Sequence, residues 1–218
     1  MTTNITELVF ILDRSGSMGG LESDTIGGFN SMLKKQQAEP GEARLTTVLF
    51  DDRYEALHDR LDLKAVSPIT DKEYYVRGST ALLDAIGKTI RKIVGVQRHT
   101  APDYRADKVL FVITTDGLEN ASRKYTAEQV KSMIEEEKEK YGWEFIFLGA
   151  NIDAVETARN IGISEDMAHN YHADSVGLGV LHESVAGAVA SFRGRGFISK
   201  GWSAKIDEDF KRRKSEKK

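Results

Sequence analysis

The chain has 218 residues, no cysteine and a formal net charge of -3 at pH 7. The absence of cysteine excludes disulfides and cysteine nucleophiles. The small negative net charge produces no overall electrostatic field that would attract nucleic acid or a membrane. Its length and its hydrophobic fraction of 40% fit one α/β domain with an ordinary core. No basic segment precedes the first apolar run, so we expect no signal peptide, no transmembrane helix and a cytoplasmic location.

The first half of the chain predicts alternating strands and helices. Residues 8–12 are an unbroken apolar run, which is typical of a strand buried on both faces. Residues 21–38 and 78–96 have apolar side chains at helical spacing. Residues 44–51 and 54–63 predict a hairpin, and the alternating leucines of its second strand indicate the edge of a sheet.

The second half continues this alternation as far as residue 192. Strands are predicted at residues 109–115, 143–148 and 168–172, and helices at residues 126–141, 153–161 and 175–192. We expect a doubly wound, mostly parallel sheet of about six strands, with one antiparallel edge strand and helices on both faces. Residues 1–192 form the predicted domain. Residues 193–218 lose apolar periodicity and are predicted to be a basic extension with a mobile end.

Oxygen-bearing side chains follow apolar strands or lie at the start of a helix at three places. Asp13, Ser15 and Ser17 come just after the first strand, Thr80 opens the second helix, and Asp116 follows strand 109–115. We expect these side chains to meet, because the carboxyl ends of parallel strands lie at one edge of a sheet. Two carboxylates and three hydroxyls supply up to five oxygens to Mg²⁺ or Mn²⁺ and leave one coordination position free.

This pattern closely resembles the metal-ion-dependent adhesion site (MIDAS) of the von Willebrand factor type A (vWA) domain. The loop Asp13-Arg14-Ser15-Gly16-Ser17 matches Asp-x-Ser-x-Ser, and Thr80 and Asp116 match the distant Thr and Asp. The resemblance covers about residues 6–192 and implies a Rossmann-like fold in a stand-alone bacterial-type member with a complete site. It also implies that Ser15 and Ser17 bind the metal directly. Thr80 and Asp116 would alternate between direct and water-mediated contact.

The resemblance implies a protein-binding module and no enzyme activity. An Asp or Glu of a partner protein would complete the coordination of the metal, and assemblies with AAA+ ATPases are among the partners that the family suggests. One alternative is a metal-assisted phosphohydrolase, but Ser15 stands where a haloacid dehalogenase-type site has its second Asp. The other alternative is nucleic-acid binding through the basic tail 211–218, although the acidic Glu216 lowers the positive charge of this tail.

Several other polar residues are expected to be structural. Glu119 and Asn120 are predicted to shape the loop after Asp116, and Asn151 is predicted to cap or organise the loop after strand 143–148. His169 and His172 have a spacing that could suit a metal on a helix, but their segment is predicted to be strand or loop. We therefore expect no histidine metal site.

Overall fold

The computed structural model describes residues 4–216. Its strands are β1 (Thr6–Asp13), β2 (Ala43–Phe50), β3 (Tyr54–Asp62), β4 (Lys108–Thr115), β5 (Glu144–Gly149) and β6 (Ala168–Asn170). Its α-helices are α1 (Glu22–Ala38), α2 (Leu82–His99), α3 (Ala127–Tyr141), α4 (Ala154–Asn160), α5 (Ser175–Arg195) and α6 (Ala204–Glu216). The predicted strands and the first five helices are thus confirmed, with small shifts at their ends.

The six strands form one sheet in the order β3-β2-β1-β4-β5-β6. The β2–β3 pair is antiparallel, and the other four neighbouring pairs are parallel. The apolar strands β1 and β4 lie at the centre, because side chains on both of their faces need cover. This arrangement confirms the doubly wound, mostly parallel sheet and its antiparallel edge strand.

Each face of the sheet has its own hydrophobic core. Phe10 and Leu12 of β1 belong to the core that α1, α5 and α6 cover. Val9 and Ile11 belong to the core that α2, α3 and α4 cover. Successive side chains of a strand point to opposite faces, so one apolar run supplies both cores. Full burial of each such side chain contributes about 1.5–3 kcal/mol, and helices on both faces are the result.

Helix α5 is long and apolar enough, by length and composition, to cross a membrane. The expectation that no segment of the chain is long and apolar enough to cross a membrane is therefore wrong. Half of its most apolar window is buried inside the fold, where Leu181, Val185 and Val189 join the core shared with α1. Packing in the protein interior therefore accounts for its composition. The domain boundary predicted at residue 192 falls within α5, which ends at Arg195.

The predicted C-terminal extension contains a helix that the sequence pattern did not indicate. Residues 204–216 form α6, which packs against α5 and β6, with Ile206 only 2% exposed. Arg213 forms ion pairs with Asp209 of the same helix and with Asp174, the N-cap of α5. The sequence pattern does not predict this helix, because most of its residues are polar and its position depends on these tertiary contacts.

The predicted basic run 211–218 is partly neutralised within the fold. Arg212 Nη2 lies 3.0 Å from Asp209 Oδ1, one turn away, and Lys214 lies over the ring of Phe210. The last two residues of the run, at 217–218, lie outside the described residues. The described part of the run therefore presents less free positive charge than its sequence indicates.

Candidate metal centre

The sheet brings the two candidate acids to the same edge. β1 and β4 are parallel neighbours, with Leu12 beside Thr114. Asp13 is the last residue of β1, and Asp116 directly follows β4. Both residues are only 2% exposed. Adjacent strands thus explain why two carboxylates that are far apart in the sequence lie together, as predicted.

The three candidate hydroxyls form a cluster at this edge. Ser15 Oγ lies 3.1 Å from Ser17 Oγ and accepts a hydrogen bond of 3.1 Å from Thr80 Oγ1. Ser17 Oγ donates a hydrogen bond to Asp116 Oδ1. Ser15 and Thr80 are buried, whereas Ser17 is exposed. The cluster is therefore open to solvent on the side of Ser17.

Asp13 joins the cluster through its two carboxylate oxygens. Oδ1 accepts a 2.7 Å hydrogen bond from the Ser15 N–H, and Oδ2 accepts one of 2.6 Å from Thr115 Oγ1. The carbonyl oxygen of Asp13 accepts a further bond of 2.6 Å from the hydroxyl of Tyr74. All five predicted site residues thus lie together, and the carboxylate of Asp13 has a defined orientation.

Two features of the cluster leave room for a divalent cation. Asp116 Oδ2 is buried and has no hydrogen-bond partner among residues 4–216. A Cβ at Gly117 would lie 3.3 Å from Ser17 Oγ and 3.4 Å from Thr80 Oγ1, so glycine leaves that space free. Oxygen donors of this kind suit a hard cation such as Mg²⁺. Residues 4–216 contain no group of three or more His, Cys, Asp or Glu that could hold a metal, so a cation at this cluster would need the hydroxyls as ligands.

Burial raises the pKa of both carboxyl groups above the usual value. For Asp13, removal from water is the main cause, and the hydrogen bonds from Ser15 and Thr115 oppose it. For Asp116, burial is again the main cause of the raised pKa, and the bond from Ser17 opposes it. The charge of Asp13 raises the pKa of Asp116 further. A bound divalent cation would remove this cost of ionising the pair.

Buried ion pairs connect the loop after β1 to the segment before Thr80. Arg14 and Asp51 have fully buried side chains, with Arg14 Nε 3.0 Å from Asp51 Oδ2. Arg77 Nε lies 2.6 Å from the same oxygen. The Arg77 N–H donates to the Arg14 carbonyl, and the Ala81 N–H donates to the Asp51 carbonyl, each at 2.9 Å. These contacts set the distance between two of the three loops that carry candidate ligands.

The third loop is bonded to the start of α2. The side-chain oxygen of Asn120 accepts a 2.9 Å hydrogen bond from the Thr80 N–H, and the carboxylate of Glu119 accepts an N–H in the first turn of α2. Both residues therefore shape the loop, as predicted. Asn151 is not the predicted cap, because Asp153 is the N-cap of α4. Asn151 organises its loop by adopting a left-handed backbone with φ of 57°.

The two closely spaced histidines have structural partners. His169 Nδ1 lies 2.9 Å from Asp207 Oδ1. The ring of His172 stacks on that of Phe210, with 4.8 Å between ring centroids. Both contacts connect the region of β6 to α6, and neither histidine belongs to the oxygen cluster.

Sequence reasoning missed Asp51, Thr115 and Tyr74, which support the cluster from outside. Asp51 follows an apolar strand, as Asp13 and Asp116 do, so the same signal could have identified it. Thr115 and Tyr74 gave no such signal, because each is defined by one hydrogen bond between distant parts of the chain. Recognising their role required the tertiary structure.

A family model of the von Willebrand factor type A domain matches residues 7–184, from β1 into α5. The chain belongs to this family. The matched region of the vWA domain contains all five residues of the oxygen cluster and ends before α6. No curated protein matches the chain.

Solved structures share the fold of this vWA domain. Proximal thread matrix protein 1 of the mussel byssus, with a zinc-occupied MIDAS motif, has a TM-score of 0.57 and 17% identity, and covers 85% of this chain and 46% of its own. Manganese-loaded TRAP of Plasmodium vivax has a TM-score of 0.52 and 18% identity, and the match covers 69% of this chain and 59% of TRAP. The ArnB paralog VWA2 of Sulfolobus acidocaldarius has a TM-score of 0.53 and 20% identity, and the match covers 86% of this chain and 45% of VWA2. At these identities the likeness shows the fold alone, and the chain spans about half the length of the thread matrix protein.

Thr115→Val is expected to lower the affinity of the vWA domain for Mn²⁺ by about 10–100-fold, as outer-shell changes at metal sites do. The change keeps the shape of the side chain but removes the hydroxyl that orients Asp13. Isothermal titration calorimetry with Mn²⁺ measures this effect. Thr114→Val is the matched control, because the Thr114 hydroxyl donates instead to the Ile11 carbonyl. Equal affinities of the two variants would contradict the role of Thr115.

Proposed function

We propose that this vWA domain is a protein-binding module that works through a bound Mg²⁺ or Mn²⁺. The proposal rests on one observation, the convergence of five oxygen-bearing side chains at an open edge of the sheet, with one buried carboxylate oxygen left without a partner. These side chains would form a complete MIDAS, made up of Asp13, Ser15, Ser17, Thr80 and Asp116.

The charge of this set explains why a partner would supply the last ligand. Two carboxylates balance a cation of charge +2, so the filled site is nearly neutral and still attracts a further carboxylate. Five protein oxygens leave one position of an octahedral ion for an Asp or Glu of another protein. A related fold with zinc in its MIDAS and another loaded with manganese support a divalent cation here.

We further propose a bacterial-type member of the family that works in the cytoplasm, within an assembly such as one built on an AAA+ ATPase. The absence of cysteine from the sequence supports a reducing compartment. Membership of the vWA family supports an assembly role in general. The partner itself is to be identified by its dependence on the metal.

A quantitative pull-down from native extract, run with Mg²⁺ and again with EDTA, tests the function. We expect a partner that the wild-type domain captures in Mg²⁺ and loses in EDTA, and that an Asp116→Ala bait does not capture. Asp103→Ala is the control bait, because Asp103 is exposed in the loop before β4, at the other end of that strand. A partner captured equally well in EDTA would overturn the coordination mechanism.

The geometry supports binding better than either alternative function. A haloacid dehalogenase-type phosphohydrolase would need a second carboxylate two residues after Asp13, where this chain has Ser15. Turnover of a phosphoester that is lost in Asp13→Asn would reverse this ranking. Nucleic-acid binding through the tail is weakened by the ion pairs of Arg212 and Arg213.

A further inference from the structure

A groove of about 1000 Å³ lies directly beside the candidate metal centre. It runs between the turn after β2, the outer surface of α2 and the loop 120–125. Gly78 and Ser79, which precede Thr80 in the chain, line it, and so does Asn120, which is bonded to Thr80. The groove therefore begins at the edge of the oxygen cluster and leads away along α2.

The groove is positively charged, although the chain as a whole has a net charge of -3. Its acidic lining residues are Asp52 and Asp84, and the carboxylate of Asp84 accepts three backbone N–H groups of residues 123–125. Its cationic lining residues are Arg53, Lys88, Arg91, Arg123 and Lys124, all exposed. Within residues 4–216 none of these five cations forms an ion pair with a carboxylate. They are available to an anionic ligand.

The surroundings of the groove favour a polypeptide ligand over a nucleic acid. Leu118, in the loop that follows Asp116, is 67% exposed, and protein interfaces combine apolar residues with a polar rim. The negative net charge of the chain also disfavours a long polyanion.

We propose that the groove binds a short acidic segment of the same partner that supplies the metal-binding carboxylate. This inference rests on the proposed function. Helix α2 rises about 1.5 Å per residue, so its stretch from Leu82 to Arg91 is about 14 Å long. An extended peptide covers that distance with about four residues. The partner should therefore carry further Asp or Glu residues within about four residues of the one that binds the metal.

Two-dimensional amide NMR of the ¹⁵N-labelled domain in Mg²⁺ tests the proposal with defined synthetic peptides. One peptide has a glutamate and a leucine followed by further glutamates. The matched peptide keeps the first glutamate and has glutamine at the others. We expect the acidic peptide to shift the amide signals of residues 120–125 and 52–54, and to bind about tenfold more tightly than the matched peptide, with a steeper salt dependence.

Charge reversal of the loop should remove this preference. In the double variant Arg123→Glu and Lys124→Glu, the side chains are exposed and the backbone N–H groups that bind Asp84 remain. We expect it to bind both peptides with similar, weak affinity. The control double variant Lys34→Glu and Lys35→Glu carries the same charge change at exposed positions of α1, on the other face of the sheet, and should bind as the wild type does.

Three results would overturn the inference, and they separate it from the proposed function. If both peptides bind alike in Mg²⁺ and shift only signals near residues 13–17 and 116–118, the metal-dependent function stands and the groove has no role. If acidic-peptide binding is the same in EDTA, the metal-dependent function fails and the inference fails with it. If a single-stranded oligothymidine shifts the groove signals at lower concentration than the acidic peptide, the groove is a nucleic-acid site.

Discussion

Asp116→Asn is expected to abolish Mn²⁺ binding and to make the metal-free domain more stable at neutral pH. The variant loses one of the two carboxylates of the site, so the loss of affinity should exceed the roughly 10–100-fold cost of outer-shell changes. It also loses a buried charge that has no partner for Oδ2. Calorimetry with Mn²⁺ and urea unfolding in EDTA measure the two effects.

The stability gain of Asp116→Asn should depend on pH. Burial raises the pKa of Asp116 in the folded domain above that of the unfolded chain, so its ionisation opposes folding as the pH rises through the folded-state pKa. The gain is therefore expected at neutral pH and should vanish in acid, below the unfolded-state pKa. Asp103→Asn, at an exposed position, should change neither property. A variant that binds Mn²⁺ normally, or is less stable without metal at neutral pH, would contradict the assignment.

Asp51→Ala is expected to lower the free energy of unfolding by about 3–5 kcal/mol, the usual cost of removing one partner from a buried ion pair. The change leaves the fully buried guanidinium of Arg14 without its buried carboxylate, and it also releases Arg77. Urea unfolding measures the loss. Because these ion pairs position two ligand loops, the affinity for Mn²⁺ should fall as well.

Two further variants test the reason for this loss of stability. Glu55 also pairs with Arg14, at 2.6 Å, but its side chain is 45% exposed, so Glu55→Ala should cost less than about 1 kcal/mol. Arg14→Met leaves the buried carboxylate of Asp51 paired with Arg77, so it should cost less than Asp51→Ala, which leaves the Arg14 guanidinium without a buried partner. Equal losses for Asp51→Ala and Glu55→Ala would show that burial of the charge is not the cause.

The fold could be read from the sequence because its elements have strong local signals. The apolar runs of β1 and β4 require cover on both faces, and the helical spacing in α1 and α2 supplies that cover. Helix α6 had no such signal, since its residues are mostly polar and its place depends on Ile206 and on ion pairs with α5. A local pattern does not show a helix that only its neighbours stabilise.

The sequence by itself determined which five side chains could bind a metal, because Asp13, Ser15, Ser17 and Asp116 follow apolar strands that a parallel sheet brings to one edge, and Thr80 opens a helix beside them. Only the tertiary structure decided how they are supported and what lies beside them. The bonds of Asp51 and Thr115 join residues far apart in the chain, and the cations of the groove come from three separate segments. Spacing along a chain predicts where strands end, whereas the pairing of charges across loops depends on distances that folding alone creates.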